Sequence, residues 1–172
     1  MKKYLYIIAI LGLAFAACSN EPNNRKTQIA QPELEETQFT FNEEPHTVKL
    51  TVEDDNLYTL EGDVTETNIG TYTATVTLND TANYEWADGT TEPLSLNWSI
   101  VKIQIAKPAL TANQFTFNES QHTVTISPIN DDLYTLGGQT TGTAIGNYTA
   151  TVTLIVDTDI YVWADGTTVP SH

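Results

Sequence analysis

Thr71-Tyr72-Thr73-Ala74-Thr75-Val76-Thr77-Leu78 alternates polar and apolar side chains without a break, and Asn147-Tyr148-Thr149-Ala150-Thr151-Val152-Thr153-Leu154 repeats the alternation. A period of two puts successive side chains on opposite faces of an extended strand. One face is Tyr, Ala, Val and Leu; the other is threonine, which suits a pleated, wet surface. These two stretches predict β structure, and the surrounding sequence agrees. Leu94 to Val101 alternates in the same way, pointing Leu94, Leu96, Trp98 and Ile100 inward. Phe39-Thr40-Phe41, a turn at Asn42-Glu43-Glu44-Pro45 and His46 to Val52 read as a hairpin, and Gly62, Gly70 and Gly89 read as turns. No window after Cys18 has helical periodicity.

The two strands belong to a longer duplication. Residues 28–78 laid on 104–154 give 31 identities in 51 pairs. Gln38 to Glu43 falls unchanged on Gln114 to Glu119, and Leu57-Tyr58-Thr59-Leu60 on Leu133 to Leu136. The register then slips by one, so Tyr84 and Trp86-Ala87-Asp88-Gly89-Thr90-Thr91 match Tyr161 and Trp163 to Thr168. A fixed period of this length marks a repeat architecture. About six or seven short strands in roughly 70 residues predict a sandwich. The fold class is therefore all-β, as two tandem units: unit one at 27–102 and unit two at 103–172. The join from Ile100 to Pro108 contains no glycine, which predicts an elongated pair.

Composition narrows the function. The 172 residues carry 22 acidic and 7 basic side chains, a formal net charge of −15. Such a surface repels phosphate backbones, which argues against nucleic-acid partners. One cysteine closes no intramolecular disulfide, and three scattered histidines offer no zinc set.

That cysteine ends a leader. Met1-Lys2-Lys3 is a basic start, and Tyr4 to Ala17 is apolar. Fourteen residues fall short of the roughly 20 a membrane-spanning helix needs, and they fit a secretory signal over 1–17. Leu13-Ala14-Phe15-Ala16-Ala17-Cys18 resembles the lipobox of bacterial lipoproteins, although Phe15 stands where Leu, Val or Ile is usual. The resemblance implies an acylated (palmitate-bearing) Cys18 as the mature N-terminus, and several acyl chains give stable membrane anchoring. Residues 18–26 are a polar tether that buries nothing. Ser19 after the cysteine resembles an outer-membrane sorting signal, which implies a cell-envelope location, periplasmic or surface-facing.

The units themselves resemble the bacterial immunoglobulin-like (Ig-like) repeats of surface and secreted proteins. The resemblance rests on the Phe-Thr-Phe-Asn segment, on Asn68, Gly70, Tyr72 and Val76, on the Trp-Ala-Asp-Gly-Thr-Thr stretch and on the Leu96-x-Trp98-x-Ile100 strand. It implies that Tyr72 and Tyr148 are tyrosine-corner residues, and that Ala74 and Ala150 stand where antibody domains carry the second cysteine. It also implies a non-enzymatic stalk, adhesion or protein-interaction module.

Unit two stops at Pro170-Ser171-His172, where unit one continues through Leu94 to Lys102. Three inward residues, each contributing roughly 1.5–3 kcal/mol of burial, are then missing, about 5–8 kcal/mol in all. Domain stability is typically about 5–15 kcal/mol, so unit two reads as marginal with an open edge beside Tyr148 to Leu154. Two readings stand: a truncated gene, or a groove completed by strand donation from a partner or a second copy.

Other candidate chemistry is weighed against plainer roles. Tyr84 with Trp86, and Tyr161 with Trp163, share strand faces. Exposed, they would stack a glycan, as in a carbohydrate-binding accessory lipoprotein of a glycan-uptake system; buried, they close the core. His46 and His122 occupy equivalent positions, which suits structural polar roles more than catalysis. Asp54-Asp55-Asn56 and Asn130-Asp131-Asp132 read as solvated turns rather than calcium loops. Asp80-Thr81-Ala82 resembles a bacterial O-glycosylation acceptor at Thr81. No catalytic residue, cofactor or metal is expected.

Overall fold

A computed structural model describes residues 25–169, and they are all-β, with no helix among them. Cys18 and the leader lie outside the described residues. Unit one contributes β1 (Thr27–Ile29), β2 (Gln38–Thr40), β3 (His46–Thr47), β4 (Tyr58–Gly62), β5 (Thr65–Glu66), β6 (Gly70–Leu78), β7 (Tyr84–Trp86) and β8 (Leu94–Val101). Unit two contributes β9 (Ile103–Ile105), β10 (Ala109–Leu110), β11 (His122–Thr123), β12 (Ile126–Ser127), β13 (Tyr134–Gly138), β14 (Thr141–Gly142), β15 (Ala150–Leu154) and β16 (Tyr161–Trp163).

In unit one the largest sheet has the order β2-β8-β6-β4. β8 lies in its interior, antiparallel to β6 and parallel to β2. Strands β1 and β7 pair in parallel, β3 and β5 antiparallel, and Leu34 bridges Leu50. The alternation quoted first does what its period demands: Ala74, Val76 and Leu78 are buried while the threonines between them stay half-exposed. They share a core with Leu34, Val48, Leu50, Tyr58, Trp86, Trp98 and Ile100. Each buried aliphatic side chain contributes roughly 1.5–3 kcal/mol, so packing holds this unit.

Two local expectations change. The Phe39-to-Val52 stretch is not a hairpin, because its arms pair in different sheets: β2 with β8, and β3 with β5. The chain does reverse between them, with Glu43 in the left-handed region (φ 68°) and the Asn42 side chain accepting from the Glu44 amide. Alternation reveals that a segment is extended, not which neighbour it pairs with. Gly70 opens β6 rather than making a turn, and an added Cβ there would sit 3.0 Å from the Tyr72 ring. Gly62 and Gly89, with φ near +84°, are the turn glycines.

Unit two repeats every pairing that does not involve the interior strand. β13–β15 pairs Tyr134 with Leu154 through to Gly138 with Ala150, as β4–β6 pairs Tyr58 with Leu78 through to Gly62 with Ala74. β16–β9 mirrors β7–β1, and β11–β14 mirrors β3–β5. Ile105, Ile126, Tyr134, Val152, Leu154 and Trp163 form its core. The strand expected over Asn147 to Leu154 is shorter: only Ala150–Leu154 pairs. In unit one, Thr71 to Thr73 pair only with β8, so their counterparts have no ladder to join.

Candidate interaction groove

Among the described residues no strand pairs with β15 on the side that β8 takes on β6, and a cavity of about 500 Å³ lies there. Phe115, Phe117, Ile145, Tyr148 and Ala150 are among the residues that line it. Phe115, Phe117 and Tyr148 are 43%, 52% and 44% exposed. Their unit-one equivalents, Phe39, Phe41 and Tyr72, are half-buried and pack on the core that Trp98 completes. Phe39 meets the Trp98 ring edge-on at 5.7 Å, and Tyr72 lies 4.9 Å from it.

The frame of this groove is nonetheless built. The Tyr72 hydroxyl donates to the Asn68 carbonyl at 2.7 Å, and the Tyr148 hydroxyl to the Ala144 carbonyl at 2.8 Å. Burial, then the nearby Glu66 and Asp63 carboxylates, holds the Tyr72 phenol above its ordinary pKa, so the hydroxyl keeps its donor proton. His46 and His122 are half-buried and pack on Phe39 and Phe115 at 4.8 and 4.9 Å. In both, the buried Nε2 lacks a hydrogen-bond partner. The equivalence supports a packing role. One side chain differs: the Tyr148 ring lies against Gly142, where a Cβ would meet it at 2.5 Å, whereas Tyr72 lies over Gly70. Unit one has Glu66 at the position of Gly142.

The aromatic pairs are placed otherwise than a sugar platform requires. Trp86 and Trp163 are both 0% exposed, and Tyr84 and Tyr161 are half-buried. Each indole N–H is spent on a backbone carbonyl six residues on: Trp86 on Glu92 at 2.8 Å and Trp163 on Val169 at 3.2 Å. Their rings pack 6.1 Å from Tyr58 and 5.8 Å from Tyr134. These tryptophans close the core and present no face for stacking.

The acidic loops are turns. Asp54 accepts from the Leu57 and Tyr58 amides through its carbonyl and from the Asn56 amide through its carboxylate. Among the described residues no three His, Cys, Asp or Glu side chains converge as a metal site. Thr81 is exposed on a turn in which the Asp80 carboxylate accepts from the Asn83 side chain and from the Ala82 and Asn83 amides. Those bonds, with the Asn83 side chain foremost, hold Asp80 below its ordinary pKa.

The groove's lining includes Gln139 and Gly142, which sequence reading missed. The signal was present in the alignment: Asp63 and Glu66 of unit one become Gln139 and Gly142, so two charges vanish from this part of unit two. Also missed was the Lys107–Asp165 ion pair at 2.6 Å, where unit one has Gln31 bonded to Asp88 at 2.9 Å. Comparison of the chain with protein-family models, with curated proteins and with solved structures gave no match.

Proposed function

We propose that the chain is a non-enzymatic, lipid-anchored cell-envelope protein whose Ig-like repeats serve as a stalk, adhesion or protein-interaction module. The observation that carries this reading is the duplicated tyrosine corner, Tyr72 on Asn68 and Tyr148 on Ala144, each two residues ahead of a small alanine on the strand. The duplication repeats a scaffold, whereas chemistry at a single centre would need converging side chains that differ in role. The anchor comes from sequence: the apolar leader, the small residues before Cys18, and the polar tether to residue 26. Burial of Trp86 and Trp163 removes the platform on which the glycan-binding alternative depended. Exposed Thr81 fits O-glycosylation, which intact-mass measurement of the wild-type chain and Thr81→Ala would register.

The test is acylation. Expressed in a Gram-negative bacterium fed labelled palmitate, the chain takes up label and fractionates with the outer membrane. Cys18→Ala abolishes both. Label on the Cys18→Ala chain, or none on the wild type, overturns the anchor.

A further inference from the structure

We propose that the first strand of each unit is a latch loaded in shear when the chain is under tension, and that the latch of unit one is built to yield first. The module then responds to force in two stages: β1 lets go while both cores stay closed.

The load path follows from the topology. The chain enters unit one beside the 79–83 turn, where the Thr27 amide donates to the Asn83 carbonyl at 2.8 Å. It leaves where Ile100 pairs with Gly70, at the other end of the nine-residue β6. Tension therefore runs along the strands. β1 lies parallel to β7, and β2 parallel to β8. Drawing β1 and β8 apart slides each parallel pair lengthwise, so its evenly spaced bonds resist together instead of opening one by one. β8 continues into β9 across Lys102 alone, and β9 lies parallel to β16. The same tension thus reaches the second latch.

The two latches match in register and differ in fastening. Each pairs three residues, and the Ile103 amide donates to the Ile160 carbonyl at 2.9 Å as the Thr27 amide does to Asn83. Beyond that, β9 has an ammonium at either end. Lys102 Nζ donates to the Thr158 carbonyl at 2.8 Å. Lys107 Nζ donates to the Asp165 carboxylate at 2.6 Å and to the Thr167 hydroxyl at 3.3 Å, and it lies 5.9 Å over the Trp163 ring. β1 is fastened by neutral donors: Gln31 to Asp88 at 2.9 Å and Gln28 to Glu85 at 3.4 Å. A bond between two charged partners is the stronger kind. Ile105 is 7% exposed while Ile29 is half-buried, so β9 also has more apolar area to give up. Release of β1 has a stop. Pro32 and Leu34 are buried, and the Glu33 carbonyl accepts from the Thr51 amide at 2.8 Å, so only residues 27–31 come free. The latches rest on the structure alone; only the source of the load rests on the membrane anchor, which palmitate labelling tests separately.

The test exchanges the two fastenings. The full chain is held by Cys18 and by a second thiol from His172→Cys, and stretched at constant load. A first step no longer than about 18 Å, the reach of five residues, precedes the long steps of core unfolding. Gln31→Lys, which gives unit one the ammonium of unit two, slows that step by about threefold, the scale of an exposed ion pair. Without load, amide exchange at 27–29 slows by a similar factor in that variant, and Lys107→Gln speeds exchange at 103–105. A strand that frays only because it is the first would ignore the side chain at 31. Thr27→Pro, which deletes the amide bonded to Asn83, abolishes the short step while β4 and β6 remain slow to exchange. Four results overturn the proposal: no short step before core unfolding; release of 103–105 ahead of 27–29; rates indifferent to both exchanges at 31 and 107; or a Thr27→Pro chain in which β4 and β6 lose protection, which would make β1 part of the core.

Discussion

Units one and two hold the same tyrosine, the same Phe-Thr-Phe and the same histidine, yet these residues do different work in each. In unit one Tyr72 and Phe39 flank Trp98; in unit two Tyr148 rests on Gly142 and Phe115 stands 43% exposed. The difference traces to one strand. β8 has two neighbours; among the described residues of unit two no strand takes its place, none answers to β2, and the counterpart of β6 keeps only its second half. Pairings that bypass it survive residue for residue. A sheet thus depends on its strands unequally: an interior strand organises both flanks, while an edge strand organises one.

The sharpest way to break the comparison is to empty unit one. Trp98→Ala removes a side chain 1% exposed, together with its bond to the Asp63 carbonyl. Such core truncations cost about 3–5 kcal/mol, most of the stability of a small domain. Denaturant titration should show unit one melting early while protection across β13 and β15 is unchanged. If unit two melts with it, the two cores are coupled and the comparison fails.

A smaller effect separates the equivalent phenylalanines. Phe39→Ala gives up an edge-on contact with Trp98 and half-buried area, about 2 kcal/mol. Phe115→Ala gives up a ring already exposed, and should cost less than about 1 kcal/mol. The midpoint difference between the two variants measures what β8 contributes to its flank.

Much of this asymmetry is legible in sequence, and the limits are physical. The Thr71-to-Leu78 alternation reveals the strand, its buried face and its twin because a period of two is a one-dimensional signal. Leu94, Leu96, Trp98 and Ile100 face inward as their spacing requires. Pairing is not one-dimensional. Phe39-Thr40-Phe41 and His46 to Val52 look like hairpin arms, but they pair in different sheets, β2 with β8 and β3 with β5. Whether Trp86 and Trp163 are platform or core turns on what lies across the fold, which local pattern does not encode. The neutral lining of the groove was legible only by comparing the units: Asp63 and Glu66 have neutral counterparts in Gln139 and Gly142.

Glycine tests the same contrast at lower cost. A Cβ at Gly70 would press on the Tyr72 ring at 3.0 Å, and that ring is held by Trp98 and by its bond to Asn68. Gly70→Ala therefore overpacks a fixed neighbour and should cost about 1 kcal/mol. A Cβ at Gly142 would meet the Tyr148 ring at 2.5 Å; that ring is bonded to the Ala144 carbonyl as Tyr72 is to Asn68, but it faces the cavity and has room to shift. Gly142→Ala should therefore cost less than Gly70→Ala, within about 0.5 kcal/mol, as read from the two unfolding midpoints. Equal costs for the two substitutions would mean that Tyr148 is as tightly held as Tyr72.

The finest distinction lies at the Asp-Gly turns after each buried tryptophan. Asp88 accepts from Thr90 and Gln31, and the Thr90 bonds foremost hold it below its ordinary pKa of 3.8. Asp165 has Lys107 in place of Gln31, and that ammonium foremost, with Thr167, lowers it to about 2. A carboxyl depressed in the folded state stabilises above its unfolded pKa, and that contribution fades as pH falls from about 4 to about 2. Acidification should therefore strain unit two's turn through a lower window than unit one's. Both carboxyls are exposed, so added salt should narrow the gap. Lys107→Gln should raise the Asp165 pKa toward that of Asp88, read by carbon-13 titration of the two carboxyls. If Asp165 stays near 2 in that variant, the Thr167 bonds set its acidity, and the ionic difference between the turns has no consequence.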